Sequence, residues 1–277
     1  VRIAYLGPAG TFTEDALREA LPEGGFEPLR TATIREAILA VERGEAERAL
    51  APFENSTEGS VRSTLDALAF DAKDVAIVGE HDFAVHAHLI AREEIALDRI
   101  ESVLSHPQPL AQCARFLSES LPEAELQSVE STAAAVKIVS ESGAPWAAIG
   151  ARAAADLYGC EILREGIEDE PNNVTRFVWI APAGTEPAGG ERWKTSLVFS
   201  ELGADHPGAL VEALQEFSSR SVNLTRIESR PLRSELGRYM FFCDLEGAKS
   251  DEAVSEAIAA LRTKADSVRI LGSYPVG

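Results

Sequence analysis

Four polar segments of this 277-residue chain carry residue types able to hold an anion or assist a leaving group. Gly7-Pro8-Ala9-Gly10-Thr11-Phe12-Thr13 follows a short apolar run, and its glycines let backbone amides come close to a ligand. Pro52-Phe53-Glu54-Asn55-Ser56-Thr57-Glu58-Gly59-Ser60 gathers hydroxyls, an amide and carboxylates after a second run. Ser105-His106-Pro107-Gln108-Pro109-Leu110-Ala111-Gln112 starts where a strand should end and sets Gln108 and Gln112 one helical turn apart. Asn172-Asn173-Val174-Thr175-Arg176-Phe177 puts a threonine hydroxyl and a guanidinium on successive strand positions. Each has a plain structural reading too: a tight turn, a Ser or Thr helix cap, a proline in a first helical turn, and the preference of threonine for strands. No Ser-His-Asp set, GxGxxG fingerprint or GKS/GKT loop accompanies them.

The apolar pattern indicates what holds these loops. Arg2 to Leu6 reads as a strand, TFTEDALREAL and TIREAILAVERG as helices, RALAPFEN as a strand and VRSTLDALAF as a helix. Strands recur in DVAIVGEHDFAVHAHLIA, SVLSH, APWAAIG and NVTRFVWIAP, with helices near 109–120, 131–141 and 151–158. This alternation predicts α/β layers with largely parallel sheet. After Pro182 the run AGTEPAGGER reads as a linker, within 181–192. From Trp193 onward the order is β-α-β-β-α-β, the ferredoxin-like split unit.

Composition narrows the class. Lys plus Arg is 26 against 45 Asp plus Glu, a balance of −19 that repels nucleic acid and anionic membranes. An anionic substrate must therefore meet local Arg, amide N–H or hydroxyl groups that outweigh the general field. No apolar run is long enough to cross a bilayer and the N-terminus has no export-signal pattern, so a cytoplasmic protein is expected. Cys113, Cys160 and Cys243 lie far apart and read as reduced thiols. His86 and His88 would share one strand face without an evident third ligand, so no metal site is expected.

YLGPAGTFTEDA, PFENSTEGSV, SHPQPLAQC and NNVTRFVWI, taken in this order, resemble the signatures of prephenate dehydratase. HPGALVEALQEFSSRSVNLTRIESRP is similar to the ACT regulatory domain such proteins carry. The resemblance covers essentially the whole chain and looks like the monofunctional form, without a chorismate mutase segment. It implies an α/β fold with a two-lobed catalytic region resembling type 2 periplasmic binding proteins, plus a ferredoxin-like βαββαβ ACT domain. The implied boundaries are a catalytic domain at 1–180, with lobe one about 1–75 and 170–180 and lobe two about 76–169, a linker at 181–192 and the ACT domain at 193–277.

The activity implied is decarboxylating dehydration of prephenate to phenylpyruvate, water and CO2, with no cofactor. By the same resemblance Thr175 assists the leaving hydroxyl. Asn55, Ser105 and Gln112 orient the substrate, and Thr11, Thr57 and Arg176 are further substrate contacts, Arg176 being equally readable as a structural ion pair. Phenylalanine is expected between paired ACT domains, at Gly208, Ala209, Leu210, Asn223, Leu224, Glu228 and Ser229, in a homodimer or homotetramer. Arogenate dehydratase and a non-catalytic amino-acid sensor are the alternative readings.

Overall fold

The computed structural model describes residues 1–202, 207–233 and 236–276. The first part runs β1 (Arg2–Leu6), α1 (Phe12–Ala20), β2 (Glu27–Thr31), α2 (Ile34–Glu42), β3 (Arg48–Asn55), the two-residue β4 (Gly59–Ser60), α3 (Arg62–Asp66), a π-helical turn and β5 (Val75–Ala84). Then come β6 (His88–Ala91), β7 (Ser102–Ser105), α4 (Pro107–Gln112), α5 (Ala114–Ser120), β8 (Glu125–Ser128), α6 (Thr132–Glu141), β9 (Trp146–Gly150), α7 (Arg152–Tyr158), β10 (Glu161–Arg164) and β11 (Val174–Pro182). The last part is β12 (Trp193–Ser200), α8 (Ala209–Ser218), β13 (Leu224–Pro231), β14 (Tyr239–Glu246), α9 (Glu252–Leu261) and β15 (Ser267–Pro275).

Two sheets result. The first has the order β13-β14-β12-β15-β5-β11-β3-β1-β2, and the second β10-β6-β9-β7-β8. Both are mixed instead of largely parallel. β11 runs antiparallel to β3 and β5, and β6 antiparallel to β9 and β10. Apolar periodicity reports which face of a strand is buried but not the end from which the chain enters the sheet.

The catalytic part is therefore two α/β lobes joined by two crossings. The first lies between β5 and β6, and the second between β10 and β11. The expected lobe boundary at 76 moves to 85–87, because β5 pairs with β11 in the first sheet from Val75 to Ala84. His86 accordingly falls between strands instead of sharing a face with His88, and its Nδ1 lies 2.8 Å from Glu168 Oε1.

Within β13-β14-β12-β15 every pair is antiparallel, in the strand order of a ferredoxin-like βαββαβ unit. Leu197, Phe199, Phe217, Leu245, Ile258 and Leu261 form its core. Its last strand meets the catalytic sheet at Gly272, opposite Ile77. A side chain there would place Cβ 2.2 Å from the Ile77 carbonyl oxygen, so only glycine allows the two sheets to join. A second core, containing Phe53, Val178, Ile180, Phe242 and Tyr274, spans this junction. Among the described residues no helix is long and apolar enough to cross a membrane.

Candidate active site

Strand alternation explains the placement of Thr175. On β11 it sits between Asn55 of β3 and Phe83 of β5, with 8% of its surface exposed. Asn55 Nδ2 donates to Thr175 Oγ1 at 2.8 Å and to Asn173 Oδ1 at 2.7 Å. The other end of that amide is equally committed. Asn55 Oδ1 accepts from Thr57 N–H (3.0 Å), the Thr57 hydroxyl (2.6 Å) and Glu58 N–H (3.0 Å). Three donors on the carbonyl oxygen fix the amide's orientation, so Thr175 receives an N–H and its own hydroxyl proton is left for another acceptor.

Thr175 borders a cleft of about 270 Å3 between the lobes. Phe12, Thr13, Asn55, Asn173 and Phe177 border it from the first lobe, and His106, Gln108, Gln112, Ser131 and Thr132 from the second. Asn173 Nδ2 donates a long hydrogen bond of 3.5 Å to Gln112 Oε1. Gln112 Nε2 is buried without a partner, a spare donor beside the cleft. No Lys or Arg borders it among the described residues.

The remaining candidates sit elsewhere. Ser105 is fully buried and donates to the Ile149 carbonyl at 2.8 Å, tying β7 to β9 and setting the start of the His106–Gln112 segment. Thr11 donates to the Leu6 carbonyl at 3.3 Å and precedes α1 without a side-chain cap bond. Thr57 is exposed and reaches Thr175 only through Asn55. Arg176 points to the opposite face, where it pairs with Glu54, Glu80 and Asp244, and is not a cleft residue. Thr13, Asn173, Ser131 and Thr132 went unselected in the sequence. Asn173 lies inside the NNVTRF segment, and the Ser131-Thr132 pair is an ordinary helix start until the fold aims it at the cleft.

The lobes touch beside the cleft. Gly10 has φ +81°, and a Cβ there would lie 3.0 Å from Ala154 Cα, so this loop can press on α7 only as glycine. Asp15 Oδ1 accepts from Ala153 N–H at 3.0 Å, capping α7 from across the crossing. Burial pushes Asp15 up to about 6, with Asp156 adding to it against the Ala153 amide and Arg18. Burial also raises Glu14, but the Gly10 amide with Arg18 and Arg30 outweighs it and holds that carboxyl below its usual range. Burial lifts the Cys113 thiol to about 12.

In the C-terminal unit Gly208 starts α8 at φ +98°. The HPGAL motif begins at His206, outside the described residues. Ala209 and Leu210 border a pocket of about 180 Å3 with Leu202, Tyr239 and Phe241. Asn223 is exposed, Leu224 packs against the unit's core, and Glu228 and Ser229 stand on β13 opposite Phe242 and Phe241. These four do not border that pocket.

The geometry defines a two-lobed α/β protein with a hydrogen-bonding cleft free of Lys and Arg among the described residues, and a ferredoxin-like appended unit. The prephenate dehydratase family model matches residues 3–185, and the ACT domain model residues 199–263. A prephenate dehydratase from Mycobacterium sp. (strain JLS) is 42% identical, over 100% of this chain and 89% of its own. The crystal structure of a prephenate dehydratase from Arthrobacter aurescens in complex with L-Phe superposes with a TM-score of 0.90 at 39% identity, over 99% of this chain and 90% of its own. A structure described as GqqA, a novel type of quorum quenching acylase, superposes with a TM-score of 0.89 at 30% identity, over 100% of this chain and 98% of its own. The chain belongs to the prephenate dehydratase family and carries an ACT domain.

Proposed function

We propose that the cleft between the lobes is where prephenate loses water and CO2, with Thr175 as the donor to the departing hydroxyl. The observation that carries this is the Asn55 to Thr175 hydrogen bond, in which Thr175 Oγ1 accepts and keeps its own proton free to donate. Prephenate is a dianion. Breaking the bond to its ring carboxylate releases CO2, and that electron pair completes the aromatic ring as the C–O bond breaks, giving phenylpyruvate monoanion and hydroxide. A threonine hydroxyl is a poor acid, but a fixed donor aimed where negative charge develops contributes about 10²–10³ in rate. Gln112 Nε2, from the second lobe, supplies a further donor at the same cleft. Ser105 and Thr57 act by positioning the loops that carry His106–Gln112 and Asn55.

The wider proposal places phenylalanine at paired ACT domains, around Gly208 to Leu210 of one chain and the β13 residues of another. A homodimer or homotetramer follows from that pairing, and a cytoplasmic location is a separate part of the proposal. The division into catalytic residues 1–180, linker and ACT domain is part of the same reading. The test is phenylpyruvate formation from purified protein and prephenate, with and without phenylalanine, corrected for spontaneous aromatisation in acid. Turnover suppressed by phenylalanine supports both halves of the reading, and no turnover overturns the first.

A further inference from the structure

A dianionic substrate, a chain of net charge −19 and a cleft bordered by no Lys or Arg among the described residues pose a binding problem. Three helices begin at this cleft; α4 offers no free amide there, since Pro107 and Pro109 have no N–H and Gln108 N–H donates to His106 Nδ1, which leaves α1 and α6. In α1, Phe12 N–H and Thr13 N–H have no protein acceptor among the described residues, and in α6 the same holds for Thr132 N–H and Ala133 N–H. Such amides, with the helix dipole behind them, favour negative charge.

The side chains give independent evidence. Thr13 is 6% and Thr132 8% exposed, both border the cleft, and neither hydroxyl has a hydrogen-bond partner among the described residues. Ser131 differs, since its hydroxyl caps α6 by accepting from Ala134 N–H at 3.1 Å. The residues are more than nine-tenths buried and border the cleft, so a ligand in the cleft is the partner within reach of their hydroxyls. Both threonines lie in the first turn of a helix of nine or ten residues, so their hydroxyls join the free amides.

We propose that the two carboxylates of the substrate are held one at each of these helix starts, by Thr13 with the α1 amides and by Thr132 with the α6 amides, without a side-chain cation. This rests on the dehydratase reading of the cleft. It also explains how the two lobes would recognise one molecule, each contributing one anion site. The exposed carboxylate of Glu130, next to the α6 cap, adds to the repulsion the substrate must overcome on entry.

The test is steady-state kinetics with prephenate on Thr13→Val and Thr132→Val, each beside its Thr→Ser counterpart. Losing a hydrogen bond to a charged group should raise KM about tenfold or more in each Val variant, with kcat changed far less, and Ser should restore KM. KM within twofold of the parent in a folded Val variant overturns the assignment at that helix. Failure of Ser to restore KM would make the effect one of packing, with the same consequence. Salt gives a second readout. Fixed dipoles in a negative protein predict that kcat/KM rises with ionic strength as repulsion is screened, whereas a fall would reveal a side-chain cation and contradict the proposal. A parent protein that turns over no prephenate refutes the dehydratase reading itself, a result distinct from unchanged KM in active variants.

Discussion

The two faces of β11 carry opposite chemistry. Thr175 looks into a cleft lined mainly by amides and hydroxyls, while its neighbour Arg176 lies in a cluster of ions on the back. There Arg176 reaches Glu54 at 2.8 Å, Glu80 at 3.2 Å and Asp244 at 2.7 Å, and Lys194 adds 2.7 Å to Glu80. Arg176 and Arg226 both stand over the Phe53 ring, at 4.9 and 4.8 Å. Burial alone would depress the Arg176 guanidinium, but Asp244, Tyr274 and Glu80 outweigh it and keep it charged. Since Asp244 and Lys194 belong to the C-terminal unit, the back face joins that unit to the catalytic strand. Full charges here serve assembly, whereas the proposed reaction draws on uncharged donors.

The comparison breaks most visibly at Arg176. Arg176→Ala leaves Asp244, 1% exposed, and Glu80 short of a partner, which should cost about 3–5 kcal/mol of stability. Thermal and denaturant unfolding read this loss. An unchanged unfolding midpoint would mean that the ion cluster contributes little to assembly.

Asn55 sharpens the comparison from the front. Asn55→Ala removes the donor to Thr175 and the acceptor for Thr57 and Glu58, so kcat should fall about tenfold or more. Circular dichroism of the same sample separates that fall from unfolding, and parent-like kcat would show that Thr175 does not need to be oriented.

The smallest effect is on pH. Asp15 has its carboxyl raised from 3.8 to about 6, so its contribution to stability is fully present below about pH 4 and is lost as pH rises through about 6. Asp15→Asn should remove that dependence, so the stability of the parent relative to the variant should decline across this window. Parallel curves from pH 4 to 7 would mean that burial at the α7 contact does not govern Asp15.

Much of this arrangement is legible in the sequence because buried strands and polar loops differ in composition. The strands carrying Thr175 and Asn55, and the whole βαββαβ order, follow from apolar periodicity. β2, β8 and β10 do not, because each is an edge strand with mostly exposed or half-exposed positions and so lacks an alternating apolar face. The Arg176 cluster is similarly hidden, since Asp244 and Glu54 lie 68 and 122 residues away along the chain. Thr13 lies in the first polar segment with nothing to single it out from Thr11, and Thr132 carries no local signal. Their meaning comes from two helix starts facing one another across the cleft, which depends on how the lobes are placed.

The central claim is that the Thr175 hydroxyl, aimed by Asn55, assists departure of the substrate hydroxyl. Single-turnover phenylpyruvate formation at saturating prephenate tests it directly in Thr175→Ser and Thr175→Val. Serine keeps the donor and should retain most of the rate, whereas valine keeps the shape and should lose about 10²–10³. Equal single-turnover rates in the parent and the valine variant would contradict the account.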